Sequence, residues 1–170
     1  MRIGLRGMVR RVWGKRGIKV RRPMQLSYQW RYLFVVIDGR AGRLYWCWHE
    51  TMAASELLGI VRALQQQTDL EAVVWDGAPS HREERVAALG LPLVRLPPYS
   101  PELNPAERFF EELRHAVEGV PYASLDDKVA AVQRVLASFD ATPERVRSLC
   151  GWHWIDAAAQ TLPPPHDFAA

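Results

Sequence analysis

The chain alternates between two hydrophobic periods, and the order of those periods predicts its elements. YQWRYLFVVID (28–38) is rich in aromatic and β-branched residues, as a strand is. The turn GRAG (39–42) leads into RLYWCWHE (43–50), so the two strands form a hairpin. The period then changes. Leu57, Leu58, Val61 and Leu64 repeat at helical spacing in ASELLGIVRALQQQ (54–67), with Ser55 near its start. Two short apolar runs, LEAVVWD (70–76) and LPLVRLP (91–97), read as buried strands on either side of a helix over 80–90 that Gly90 stops. After Asn104-Pro105 a helix carries Phe109, Phe110, Leu113, Ala116 and Val117 on one face. Two more helices follow Ser124 and Thr142, each of these hydroxyls being the expected cap. MRIGL reads as the tail of a strand, residues 6–23 as a basic loop, and LPPPHDFAA as a loose tail.

Strand, strand, strand, helix, strand, helix, strand, helices is the order of a meander followed by βα units. It predicts an α/β fold with a mixed sheet and helices on both faces. No internal repeat and no linker divides the 170 residues, a length that suits one core.

Composition adds little except in its distribution. Apolar residues make up 48% and charged residues 24%, which is ordinary for a globular chain. No apolar run is long enough to span a membrane, and the basic N-terminus has no signal-peptide pattern. Cys47 and Cys150 form no CxxC pair, and the five histidines show no zinc spacing. The net charge of +3 is unevenly spread: residues 1–37 hold ten Lys or Arg and no acid, while the remainder holds twelve bases and nineteen acids. A basic arm on a mildly acidic body points to a polyanion partner, nucleic acid foremost. Arg10, Arg11, Lys15, Arg16, Lys19, Arg21 and Arg22 are its candidate contacts, and Trp13 is expected to pack on the core rather than stack on DNA.

Two carboxylates stand where such sheets gather ligands, at strand ends and the loops beyond them. Asp76 closes a buried strand ahead of Gly77, although Asp-Gly is also ordinary turn chemistry. Glu107 falls at the third helical position after Asn104, where a glutamate can reach back to the cap amide in a capping box. Neither residue settles its own role.

Together they carry a resemblance. VVWDGAPSHR followed by LVRLPPYSPELNPAERFFEELR resembles the DDE transposases of the IS630 and Tc1/mariner type, with Asp76 and Glu107 separated by thirty residues and His81 shortly after the first. YLFVVIDGRAGRLY and SLCGWHWI fit the same plan. The resemblance implies an RNase H-like domain over 1–156, a tail over 157–170, and a prokaryotic, cytoplasmic protein. It implies Asp76 and Glu107 as catalytic ligands of a two-metal Mg²⁺ (or Mn²⁺) site, supported by Asn104 and His81. The implied partners are transposon-end and target DNA, with a homo-oligomer or an intact transposase as protein partner and no membrane.

The family's first carboxylate, an Asp-Glu pair ahead of the basic loop, has no counterpart here, because no acid precedes Asp38. The expectation is a fragment lacking the start of its first strand and unable to cut DNA at a useful rate. The alternatives are a DNA-binding remnant without chemistry and a divergent nuclease using Asp38, a residue that also reads as a turn former.

Overall fold

The computed structural model describes residues 1–7, 13–21, 25–76 and 90–161. Strand β1 (Arg2–Gly4), β2 (Trp30–Asp38) and β3 (Arg43–His49) form an antiparallel sheet in that order. Ile3 lies opposite Arg31, Leu33 opposite Trp48, and Ile37 opposite Leu44. Helix α1 (Ala54–Gln67) follows, and then the parallel pair β4 (Val73–Trp75) and β5 (Leu93–Arg95). A short 3₁₀ turn (Pro101–Leu103) leads into α2 (Pro105–Val117), α3 (Leu125–Asp140), α4 (Pro143–Cys150) and α5 (His153–Gln160). No helix among the described residues is long and apolar enough to cross a membrane.

Period-2 alternation gives the antiparallel sheet two distinct faces. Leu33, Val35 and Ile37 with Leu44, Trp46 and Trp48 turn to one side, where they meet Phe109, Leu113 and Val117 of α2, Val132, Leu136 and Phe139 of α3, and Val146 and Cys150 of α4. Phe109 is fully buried and stands edge-on to Phe139 at 5.1 Å. Burying one such side chain contributes about 1.5–3 kcal/mol. A second, smaller core joins Val61 of α1 to Trp75 and Leu91, with Leu57, Leu58, Val73 and Leu93 around them.

The hairpin turn is packed on α4. Gly42 has φ +72°, and a Cβ there would collide with the Pro143 carbonyl oxygen, so both the conformation and the contact require glycine.

The mixed α/β arrangement is the one expected, built among the described residues as an antiparallel three-stranded ladder and a parallel pair. Several other expectations change. The tail expected over 157–170 begins too early, because α5 runs to Gln160. Ser124 caps α3 by accepting from the Asp127 amide, but Thr142 makes no side-chain cap bond on α4, and α1 has Ala53 at its cap without a side-chain bond. Trp13 is fully exposed rather than packed on the core. The helix expected over 80–90 and the last nine residues lie outside the described residues.

Candidate active site

Asp76 stands one residue beyond the parallel ladder. Trp75 pairs with Arg95, and the Leu96 amide donates to the Trp75 carbonyl at 3.0 Å, so the backbone entering Asp76 is fixed. The aspartate itself is half-buried.

Glu107 is positioned by the start of α2. Asn104 Oδ1 accepts from the Ala106 amide at 3.0 Å, Pro105 occupies the first helical position, and the Asn104 carbonyl takes the Glu107 amide at 3.0 Å. The capping-box role expected for Glu107 is not the one its surroundings give it. The Asn104 amide already donates to the Pro101 carbonyl at 3.0 Å through the 3₁₀ turn, so the donor that Glu107 would cap is satisfied. The glutamate side chain is 43% exposed and comes no nearer than 4.0 Å to its cationic neighbour, Arg114 Nη2. A half-exposed carboxylate on a rigid first turn is available for other chemistry.

Both carboxylates lie within electrostatic reach of Met1. Its amino group donates to the Leu33 carbonyl at 2.7 Å and its carbonyl accepts from the Leu33 amide at 2.8 Å, extending the β1–β2 ladder by one residue. Burial holds the Met1 amine below its ordinary pKa. Glu107 and Asp76 oppose that shift, and Arg114 adds to it. Both carboxylates and Arg114 therefore act on the same nitrogen from different elements, β4 and α2. Arg114 was not singled out from the sequence. Its signal is the spacing of seven residues from Glu107, two helical turns along the same side of α2.

Asp38 is not brought to that place. Its Oδ1 accepts the Arg40 amide at 3.0 Å and the Ala41 amide at 2.8 Å, closing the hairpin turn. Five residues of β2 separate it from Leu33, the partner of Met1, which is about 16 Å of strand. His81 lies outside the described residues.

Among the described residues no three His, Cys, Asp or Glu side chains are grouped to hold a metal ion. Asp76 and Glu107 fit a hard divalent cation in donor chemistry, since both offer carboxylate oxygens. They would make up two donors of such a set.

In the basic arm, Lys15, Arg16, Lys19 and Arg21 are all exposed, while Arg10, Arg11 and Arg22 lie outside the described residues. Its base is tied down by the Leu5 amide on the Gln29 carbonyl, the Gly7 amide on the Gln25 carbonyl, and Gln25 Nε2 on the Tyr122 carbonyl at 2.9 Å. Arg2 lies over Trp30 and Arg6 over Tyr28, at 5.4 and 5.0 Å from the ring centres.

Comparison with known proteins bears on the fold and the family. No curated protein matches the chain in sequence. Two solved structures share its fold at 18% identity: the Mos1 transposase paired-end complex with left transposon end (TM-score 0.66) and the Mos1 strand transfer complex (TM-score 0.67). Each match covers 94% of this chain, with 51% and 50% of the respective Mos1 chains, so the chain spans about half their length. The shared architecture is the RNase H-like mixed α/β fold. The profile of the DDE superfamily endonucleases matches residues 1–128, three-quarters of the sequence, and the chain belongs to that family.

Proposed function

We propose that the chain is the catalytic domain of a transposase, acting on DNA by strand cleavage and strand transfer, with Asp76 and Glu107 as two of its metal-binding carboxylates. The observation that supports the reading is the placement of these two side chains, one just past the end of β4 and one in the first turn of α2, each within electrostatic reach of the Met1 amine. Membership of the endonuclease family and the fold shared with Mos1 transposase support it.

The chain's own residues do the positioning. Asn104 and Pro105 fix where α2 begins, and so where Glu107 projects. The Leu96–Trp75 hydrogen bond fixes the strand end that presents Asp76. Arg114, 4.0 Å from Glu107, places positive charge beside that carboxylate. Mg²⁺ or Mn²⁺, when bound there, supplies Lewis-acid polarisation of a phosphate oxygen and a more acidic water. The exposed bases of residues 13–21 supply non-specific attraction to the DNA backbone.

The arm makes a quantitative prediction. The log of the DNA-binding constant is expected to fall with log salt by about 0.9 for each phosphate neutralised. Replacing Arg10, Arg11, Lys15 and Arg16 by Ala should make that slope shallower by up to about 0.9 for each contact removed. A slope that does not change would remove the arm from the DNA interface.

The chemistry is tested by nicking of supercoiled plasmid in Mg²⁺ and Mn²⁺. With two carboxylates in place of three, the 170-residue chain is expected to bind DNA and to cut it at a negligible rate. Each 1.36 kcal/mol of lost transition-state stabilisation is a tenfold loss, and a clamp missing one donor loses several kcal/mol. Metal-dependent nicking that disappears in both Asp38→Asn and Asp76→Asn would instead make Asp38 a ligand.

A further inference from the structure

Tyr99 holds a backbone conformation that its side chain does not favour, and its ring gains nothing from folding. Its φ is +59°, in the left-handed region, where no other non-glycine residue stands among those described. The ring is fully exposed. The neighbouring sequence imposes the turn. Pro98 fixes its own φ and holds Pro97 before it extended. A proline followed by a positive φ is the pattern of a type II turn, whose third position normally takes Gly or Asn. The Ser100 hydroxyl donates to the Pro98 carbonyl at 3.4 Å, and Pro101 then opens the 3₁₀ turn. The turn sits between the two candidate ligands. Leu96, buried and hydrogen-bonded to the Trp75 carbonyl, is three residues before Tyr99, and Asn104, the cap of α2, is five after it. Three residues of chain reach at most about 11 Å, so the Tyr99 backbone lies near the strand end that presents Asp76.

We propose that Tyr99 is a stacking platform for an unpaired nucleobase of the DNA strand held beside Asp76 and Glu107, an inference that rests on the transposase reading and names a contact of its site. A disfavoured backbone under a side chain that buries nothing is accounted for by a contact outside the chain. The exposed ring offers apolar π-surface with only two side-chain torsions to order, and the prolines on either side of the turn limit its motion. Every base has a π-face, so stacking of this kind tolerates any sequence. Inside a duplex both faces of a base are covered by its neighbours. Only a base that is frayed, overhanging or displaced has a face to give. Tyr99 therefore discriminates by strand state, whereas the exposed Lys15, Arg16, Lys19 and Arg21 attract any phosphate backbone. The phenol hydroxyl takes no part in stacking, so phenylalanine should serve as well.

The test compares two DNAs by fluorescence anisotropy in the absence of divalent cations: a blunt duplex, and the same duplex with a short single-stranded overhang. The wild-type chain is expected to bind the overhang DNA about 5–150-fold more tightly, the range for one stacked base. Tyr99→Phe and Tyr99→Trp should keep that preference. Tyr99→Gly should abolish it and leave blunt-duplex affinity unchanged, with a Tm at or above that of wild type because glycine fits the positive φ. Mg²⁺ binding by each Tyr99 variant is expected to match wild type, so a lost overhang preference is distinguishable from a failed Asp76–Glu107 site. No overhang preference in the wild-type chain, a preference that survives Tyr99→Gly, one lost in Tyr99→Phe, or a clear fall in Tm in Tyr99→Gly would each overturn the proposal.

Discussion

Replacing Lys128 by Met is expected to destabilise the domain by about 3–5 kcal/mol, the range for breaking a buried pair on one side only. Lys128 is 3% exposed, on the first turn of α3. Its Nζ donates to the Gly4 carbonyl at 2.7 Å and to Glu118 Oε1 at 2.9 Å, and it lies 5.8 Å from the centre of the Tyr122 ring. The Glu118 side chain is itself only 9% exposed. Removing the ammonium leaves a carboxylate and a strand carbonyl without their donor in a site that water does not readily reach. For a chain of this length the loss corresponds to a fall in Tm of roughly 6–20 °C. The double variant Lys128→Met/Glu118→Leu should recover most of it, because it removes the stranded charge together with its partner. Thermal unfolding of the two variants decides the matter, and a single variant within about 1 kcal/mol of wild type would show that the pair is not desolvated. The pair also has a bearing on the candidate site. It clamps β1 onto α3 at Gly4, three residues from the Met1 amine that both Asp76 and Glu107 reach electrostatically.

The second large effect concerns metal. At a Mg²⁺ or Mn²⁺ concentration a hundredfold above its dissociation constant, the wild-type chain is expected to gain about 2.7 kcal/mol of stability, since a ligand that binds only the folded state stabilises it by mass action. That gain corresponds to a rise in Tm of roughly 5–11 °C. Asp76→Asn and Glu107→Gln should each lose the rise. Differential scanning calorimetry with and without the cation reads both effects. An Asp76→Asn protein that keeps the full metal response would remove this residue from the ligand set.

Much of the fold was legible because its long elements obey a single period each. β2, β3, α1, α2 and α3 fall where alternation and helical spacing put them. The short elements were less legible. The runs over 70–76 and 91–97 contain only three ladder residues each, since a buried apolar run continues past the point where hydrogen bonding stops. The eight-residue α5 was missed because HWIDAAAQ is flanked by neither a cap nor a clear stop. Asp76 and Glu107 were identified by motif, but the argument against a capping box at Glu107 depends on the Asn104 amide being taken by Pro101, which only the 3₁₀ turn reveals. Lys128 could not be read as buried, because a lysine on an amphipathic helix is assigned to solvent by default.

The central claim, that Asp76 and Glu107 bracket one divalent cation, is tested most directly by loading the chain with Fe²⁺ and generating hydroxyl radicals at the bound ion, which cut the polypeptide beside it. The account predicts cuts clustered near residues 76 and 107, suppressed by excess Mg²⁺ and absent from Asp76→Asn and Glu107→Gln. Cuts elsewhere, or cuts near those residues that persist in both variants, would contradict it.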